Sequence, residues 1–155
     1  MKTLAALVGL ASAAALGAMA WNTPQTSADD STSLSSFTVS NVTGVLTSIG
    51  AKDIKSGTIS DGTRFINFDQ GGRSYLIVLY ACDTTHTSCK GLQVKAFFEA
   101  AAYSQQVINN FNASYPFGKA FIMKDGTLVS SRYFIADDGI PRKNVSSEIE
   151  NFAGL

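Results

Sequence analysis

The sequence has few of the features that mark catalytic or nucleic-acid-binding proteins. Its 155 residues include 12 basic and 12 acidic side chains, so the formal net charge is zero, and there is one histidine. A chain without a basic excess has no electrostatic footprint for nucleic acid and no polybasic patch for a membrane surface. No G-x-S-x-G motif of the hydrolase type occurs, and the histidine, His86, lies in a polar turn among threonines. We therefore predict a protein that is not an enzyme and has no catalytic residues, metal ligands or cofactor.

The long apolar run of the chain lies at its N-terminus. Lys2 precedes residues 4–18, which are rich in Ala and Leu, and the tripeptide Ala-Met-Ala at 18–20 has the small-x-small form of a cleavage site. This is the layout of a secretory signal peptide. A retained membrane anchor is the alternative, but the run is shorter than the ~20 strongly apolar residues that a spanning helix needs. We predict cleavage after Ala20 and a periplasmic or secreted protein without stable membrane insertion.

The remaining chain divides into a leader and one domain. Residues 21–36 are rich in Ser, Thr, Asp and Pro and contain few apolar side chains, which predicts a flexible leader. Residues 37–155 are long enough for a single domain with its own core. An apolar content of 45% and a charged content of 15% are typical of a globular chain and exclude an intrinsically disordered one.

Cysteine is scarce, and the two that are present stand at the two ends of a polar turn. Cys82 and Cys89 have C-x6-C spacing and are flanked by apolar, β-rich runs, which predicts a long hairpin over residues 73–98. In an oxidising compartment such a pair is a disulfide by default. Two alternatives stay open. One is a zinc site formed by Cys82, His86, Cys89 and a fourth ligand. The other is a redox-active pair, although the spacing lacks the C-x-x-C form that lowers a thiol pKa.

Helical periodicity occurs in three places. The first helix has an apolar face made of Val42, Val45, Leu46 and Ile49. Ser40 or Asn41 is expected as its N-cap, and Gly50 as the left-handed residue at its end. A second helix is predicted over residues 99–112, with the apolar positions Ala100, Tyr103, Val107, Ile108 and Phe111. A third begins at Pro141 and presents Val145, Ile149 and Phe152 on one face.

Strand-like segments separated by turns fill the rest of the domain. The predicted strands are residues 54–59, 64–69, 75–80, 92–98, 117–123 and 127–135. In the second of these, Phe65 and either Ile66 or Phe68 are expected to point inward. Residues 75–80 are nearly continuously apolar, which predicts burial on both faces at the centre of a sheet.

The order of the predicted elements is α-β-β-β-β-α-β-β-α. Neighbouring strands that are joined by short turns must be antiparallel. The fold class is therefore α+β, with an antiparallel sheet and helices packed on it.

Several short motifs, in their order and spacing, resemble the YbjN domain family of bacterial sensory-transduction regulators. They are Leu79-Tyr80-Ala81-Cys82, Cys89-Lys90-Gly91-Leu92-Gln93, Val107-Ile108-Asn109-Asn110-Phe111-Asn112, Phe117-Gly118-Lys119-Ala120-Phe121 and Asp125-Gly126, followed by an amphipathic helix. The resemblance covers residues 40–152. It implies a fold like that of type III secretion chaperones, with no known catalysis, no cofactor and no active-site residues to carry over. Many relatives are cytosolic, so the signal peptide places this chain in an exported branch.

Two asparagines in the second predicted helix are candidate contacts for a ligand or partner. Asn109 and Asn112 lie on one helical face at i, i+3. The alternative is structural, because asparagines near a helix end satisfy loose carbonyl groups.

The predicted strands are also rich in aromatic residues, namely Phe65, Phe68, Phe97, Phe98, Phe117, Phe121, Tyr133 and Phe134. An excess on an outer face would mark a partner groove or a dimer surface. The simpler expectation is a sheet covered by helices on both faces.

The best-supported function is therefore non-enzymatic. We expect an exported protein that binds a protein or peptide partner, in a chaperone-like or regulatory role, or that forms a homodimer. A periplasmic small-molecule sensor with a pocket between sheet and helices is the alternative. An envelope enzyme ranks last, and no nucleic-acid partner is expected.

Overall fold

The computed structural model describes residues 32–101 and 103–155, and it confirms the α+β class. In chain order its elements are β1 (Ser33–Leu34), α1 (Val39–Ser48), β2 (Lys52–Thr58), β3 (Arg64–Gln70), β4 (Arg73–Cys82), β5 (Cys89–Phe98), α2 (Gln105–Ser114), β6 (Lys119–Ile122), β7 (Leu128–Ile135), β8 (Ile140–Pro141) and α3 (Arg142–Ala153). The predicted order is present, with the two short strands β1 and β8 added.

A six-stranded antiparallel sheet forms the centre of the fold. Its strand order is β2-β3-β4-β5-β7-β6, so β5 lies between β4 and β7, and β2 and β6 are the edges. The strands β1 and β8 form a separate antiparallel pair. Every neighbouring pair in the large sheet is antiparallel, as the short connections predict.

The core lies between one face of this sheet and the helices. On β4, the side chains of Tyr75, Ile77 and Leu79 are buried, and their cross-strand partners on β5 are Ala96, Val94 and Leu92. Helices α1 and α3 complete the same apolar cluster with Val42, Val45, Leu46, Val145, Ile149 and Phe152. These are the apolar positions that the i, i+3, i+4 spacing predicts for both helices, and their burial is the main stabilising term.

The second face of the sheet is not covered by a helix of the described residues, so the prediction that β4 is buried on both faces is wrong. Leu76 and Val78 are half-buried and Tyr80 is exposed, whereas their neighbours along the strand are buried. In β3, Ile66 and Phe68 both point into the core, and Phe65 points to the uncovered face instead of inward. The reason is the period of two along a strand, which sends successive side chains to opposite faces even within an apolar run.

Helix α1 is capped two or three residues earlier than expected. Its N-cap is Thr38, not Ser40 or Asn41, and the Thr38 hydroxyl accepts a hydrogen bond from the Asn41 backbone N–H at 3.1 Å. The Asn41 side-chain oxygen accepts in turn from the Thr38 N–H at 2.9 Å, which makes a reciprocal capping box. At the other end, Gly50 has a φ of 75°, the left-handed conformation predicted for it.

Helix α2 begins at Gln105 and not at residue 99, because β5 continues through Phe98 and the chain then crosses to the next layer. Ser104 is the N-cap, and its hydroxyl accepts from the Val107 N–H at 3.3 Å. Within α2, Ile108 is buried, but Val107 is 54% exposed. The apolar face predicted for α2 is thus only partly buried.

The end of the predicted leader belongs to the folded domain. Ser33 pairs with Pro141 and Leu34 with Ile140, and the Thr32 carbonyl accepts from the Arg142 N–H at 2.9 Å. Pro141 is the N-cap of α3 and makes no side-chain capping bond, so this carbonyl satisfies an N–H at the start of the helix. Ordered pairing therefore starts before residue 37.

The predicted signal peptide, residues 1–20, and the leader as far as residue 31 lie outside the described residues. Among the helices that the structure does describe, none combines the length and the apolar character needed to cross a membrane.

The structure joins Cys82 to Cys89 by a disulfide across the end of the β4–β5 hairpin. The two residues are direct cross-strand partners, with a Cα–Cα distance of 3.7 Å. Cys89 also exchanges two backbone hydrogen bonds with Phe37, of 2.6 and 2.9 Å, and Phe37 is fully buried. The disulfide therefore closes the hairpin at the place where the N-terminal segment attaches to it.

We expect reduction of this disulfide to lower the free energy of unfolding by about 2.5 kcal/mol, the chain-entropy value for closing so short a loop. Urea unfolding of the protein with and without dithiothreitol measures the change. A double variant with Cys82→Ala and Cys89→Ala is the control, because its stability must not respond to the reductant. Equal stability of the oxidised and reduced protein would contradict the structural role.

Candidate functional site

The uncovered face of the large sheet carries exposed aromatic and aliphatic side chains. We call it the open face, and it is formed by alternate residues of β2 to β7. Its exposed apolar side chains are Tyr80, Phe97, Phe121, Tyr133 and Ile135, with exposures from 36% for Tyr80 to 52% for Ile135. Phe65, Leu76 and Val78 add half-buried apolar surface. These side chains form two apolar groups, one around Tyr80 and Tyr133 and one around Phe97 and Phe121, with the row of Lys95, Ser131 and Lys119 between them. Clustered exposed apolar side chains make this face the candidate interaction surface.

Strand register places these side chains in rows across the sheet. One row runs from Phe65 through Val78 and Gln93 to Tyr133. Another contains Phe97, Val129 and Phe121, in which Val129 is buried between its two aromatic neighbours. The open face is therefore built from residues that are far apart in sequence, and no single segment reveals it.

Two glycines allow aromatic rings to lie flat on this face. A Cβ atom at Gly91 would collide with the ring and hydroxyl of Tyr133, and one at Gly57 would collide with the ring of Phe65. Tyr133 also packs against Tyr80, with ring centroids 6.1 Å apart. An aromatic ring therefore lies over the backbone at each of these glycines and shields it.

The charges on the open face are mostly positive. Within the strands it carries Lys52, Lys55, Lys95 and Lys119 but only one acidic residue, Asp69, as the register assigns them. The Nζ atom of Lys95 lies 3.3 Å from the Tyr80 hydroxyl and 5.9 Å from its ring centroid. The chain as a whole is neutral, so this bias is local to the face.

The aromatic residues noted in the sequence divide between the two sides of the sheet. Phe68 is buried on the helix side, where Phe98 and Phe134 also lie, and Phe134 meets Phe37 edge-on at 6.0 Å. Phe65, Phe97, Phe121 and Tyr133 lie on the open face. Among residues 32–101 and 103–155 helices cover only one face, in contrast to the expectation of two covered faces, and several aromatic side chains point outward on the other.

The hairpin tip is held by hydrogen bonds to one carboxylate. Asp83 accepts from the Thr87 backbone N–H at 2.9 Å and from the Thr85 hydroxyl at 3.0 Å. These bonds, that from the Thr87 backbone first, hold the pKa of Asp83 below its ordinary value. His86 has a φ of 55° and donates its backbone N–H to the Asp83 carbonyl at 3.0 Å. The tip is therefore a structured turn in which Asp83 is an acceptor for the loop.

The alternative zinc site at this tip is not supported by the geometry. The sulfur atoms of Cys82 and Cys89 are bonded to each other, so neither is a thiolate ligand beside His86. In the part of the chain that the structure describes, no three His, Cys, Asp or Glu side chains are grouped so that they could hold a metal ion. The two cysteines are thus placed as a structural link.

The two candidate asparagines have different roles. The Asn112 side chain binds the backbone of Ala120 on the edge strand β6: its Nδ2 donates to the carbonyl at 3.1 Å, and its Oδ1 accepts from the N–H at 2.7 Å. Asn112 thus occupies the outward hydrogen-bonding groups of β6, as a further strand would. Asn109 is exposed, and its Oδ1 accepts from Gln105 on the same helix at 3.0 Å. The structure does not bring the two side chains together as one site.

We expect Asn112→Ala to lower the free energy of unfolding by about 2 kcal/mol, because it removes two hydrogen bonds and leaves the edge backbone without its partner. Asn109→Ala is the matched control on the same helix and should change stability by no more than about 0.5 kcal/mol. Chemical denaturation of both variants measures the difference. Equal effects of the two substitutions would show that the link between α2 and β6 is unimportant.

Comparisons with known proteins identify a family but no close relative. The model of the YbjN family, described as "Putative bacterial sensory transduction regulator", matches residues 38–155. The matched range begins at the N-cap of α1 and contains the large sheet, the disulfide and the open face. No curated protein and no solved structure matches the chain.

Proposed function

The chain belongs to the YbjN family, and we propose that it is a non-enzymatic regulatory protein that binds a protein or peptide partner on the open face. The family description, a sensory transduction regulator, supports a regulatory role and not a catalytic one. The observation that carries the proposal is the exposed aromatic surface of β4, β5, β6 and β7. The fold similarity to type III secretion chaperones that the resemblance implies is part of this proposal, because a fold alone does not fix a function.

The charge of the open face favours a partner segment that is acidic as well as apolar. The lysines of the face lie among its aromatic side chains, with Lys95 against Tyr80. An acidic segment would place carboxylates beside these ammonium groups while its apolar side chains cover the rings. A second copy of the chain would bring the same lysines to the interface, and like charges facing each other oppose association. A heterologous acidic partner is therefore preferred to a homodimer.

A matched pair of isoleucines tests the role of the open face. Ile135 lies on that face and is 52% exposed, whereas Ile59 lies in the β2–β3 turn and is 51% exposed. We expect Ile135→Asp to reduce recovery of a partner about tenfold or more in affinity capture from the envelope fraction, because it puts a carboxylate into an apolar contact. Ile59→Asp should leave recovery unchanged, and recovery should fall as salt screens the lysines.

Three results would contradict this proposal. They are no stable partner in the wild-type capture, equal recovery with Ile135→Asp and wild type, or sedimentation showing a wild-type dimer that Ile135→Asp converts to monomer. The last result would make a second copy of the chain the occupant of the face.

We also propose that the protein is exported and works outside the cytoplasm. The apolar N-terminal run and its small-x-small site support export, and the disulfide fits an oxidising compartment. Exported protein should begin at Trp21, and alkylation should leave both cysteines unlabelled until a reductant is added. Leu7→Arg interrupts the apolar run and should keep the protein in the cytoplasm with reactive thiols. Labelling of both cysteines in the wild-type protein without reductant would exclude the proposal.

A further inference from the structure

A hollow lies on the helix side of the sheet, opposite the open face. Its floor is one cross-strand row of small residues, Ala96 of β5, Ser130 of β7 and Ala120 of β6. The neighbouring row pairs the large side chains Phe98 of β5 and Leu128 of β7, and Arg73 of β4 also lines the hollow. Because the three small side chains stand next to each other in register, they leave space between the sheet and the helices above it.

The helices cover part of this space without filling it, and exposed residues such as Val107 and Leu155 stand where it opens to solvent. Ile108 and Phe111 of α2 and Phe152 of α3 line a cavity of about 200 Å³ above the row of small residues. Protein interiors are normally packed with few voids larger than a water molecule. An apolar cavity of roughly 150 Å³ in a protein stays dry and takes up a benzene molecule. The present cavity is large enough for a single substituted aromatic ring.

One buried polar group faces the cavity. The Ser130 side chain is 7% exposed, and its hydroxyl has no hydrogen-bond partner among the described residues. Its neighbours in the row are the methyl groups of Ala96 and Ala120, which offer no donor or acceptor. A buried hydroxyl without a partner destabilises the folded state, so such groups are rare unless something in the site pairs with them. Ser131, on the other side of the strand, does have a partner, the Lys119 carbonyl at 3.5 Å.

Charge is confined to the rim of the cavity. Arg73 is exposed, and its guanidinium carbon lies 4.9 Å from the Phe98 ring centroid at the edge of the cavity. The rest of the lining is almost entirely apolar, and besides Arg73 the side chains with a polar atom are Ser130 and Tyr103, of which Ser130 is the buried one. A charged group at the depth of Ser130 would lose its water and find no opposite charge, which is costly.

We propose that this cavity is a binding site for a small molecule with one apolar ring and one uncharged hydrogen-bonding group, which pairs with the Ser130 hydroxyl. The volume of the cavity limits the ligand to one ring. The apolar lining favours an apolar ring, and the Ser130 hydroxyl favours one hydrogen-bonding group on it. The site lies on the opposite side of the sheet from the proposed partner surface and uses different side chains of the same strands. Its test is therefore independent of partner binding.

Binding is tested on the full-length processed protein with three probes of similar size: toluene, p-cresol and benzoate. Amide chemical shifts of Ser130 and Ala120 report occupancy of the cavity by NMR titration. We expect saturable shifts with toluene and p-cresol and none with benzoate. Absence of saturable shifts with both neutral probes would overturn the proposal. If benzoate bound as tightly as p-cresol, the conclusion that the ligand is uncharged would be overturned.

Two variants locate the ligand. Ser130→Ala should weaken p-cresol relative to toluene by about fivefold to tenfold compared with wild type, the value of one hydrogen bond, while toluene still binds. An unchanged ratio of the two dissociation constants would overturn the assignment of Ser130. Ala120→Leu should fill the cavity and abolish both shifts, and binding of toluene by this variant at wild-type affinity would place the probe elsewhere. The Ser130→Ala comparison remains decisive if Ala120→Leu fails to fold.

Discussion

The register of β4 against β5 is the constraint on which both faces of the sheet depend. Tyr75 faces Ala96 and Cys82 faces Cys89, with the intervening pairs in step. A slip of one residue would move every side chain of β5 to the other face, and the buried Leu92 and Val94 would be exchanged for Gln93 and Lys95. Hydrophobic burial already opposes such a slip. The Cys82–Cys89 disulfide also opposes it, because it joins the two strands covalently next to the hairpin turn. Because β7 pairs with β5, the face to which each β7 side chain points is tied to the placement of β5.

With this register fixed, adjacent residues on one strand serve two different surfaces. Ala96 and Ser130 face the helices and are small, which leaves the cavity beneath α2. Phe97 and Val129, the next residues on β5 and β7, face the other way and form part of the open face. The two surfaces are therefore the two sides of the same pair of strands, one sheet thickness apart.

The sequence predicted those parts of the fold that depend on local spacing. The apolar positions of α1 and α3 and the cysteines at the hairpin tip lie close together in the chain, so periodicity and turn chemistry identify them. The uncovered face could not be predicted, because Leu76 and Val78 are apolar whether or not a helix covers them. The sequence predicts too early a start for α2, because Ala100 and Tyr103 fit the apolar spacing of a helix. In the structure these two residues lie in the connection between β5 and α2. A pocket between sheet and helices was an alternative from the sequence, but its lining could not be predicted, since Ala96, Ala120 and Ser130 become neighbours only through strand pairing.

Neither surface is explained by folding stability alone. Most of the apolar burial lies in the cluster of Ile77, Leu79, Leu92 and the apolar residues of the helices. An unpaired hydroxyl at Ser130 lowers stability, and exposed rings such as Phe97 and Tyr133 make an aqueous surface prone to association. An alanine at 130 or polar residues on the open face would relieve these costs without disturbing the register of β4 and β5. These two costs are the physical reason for proposing each feature as a binding surface.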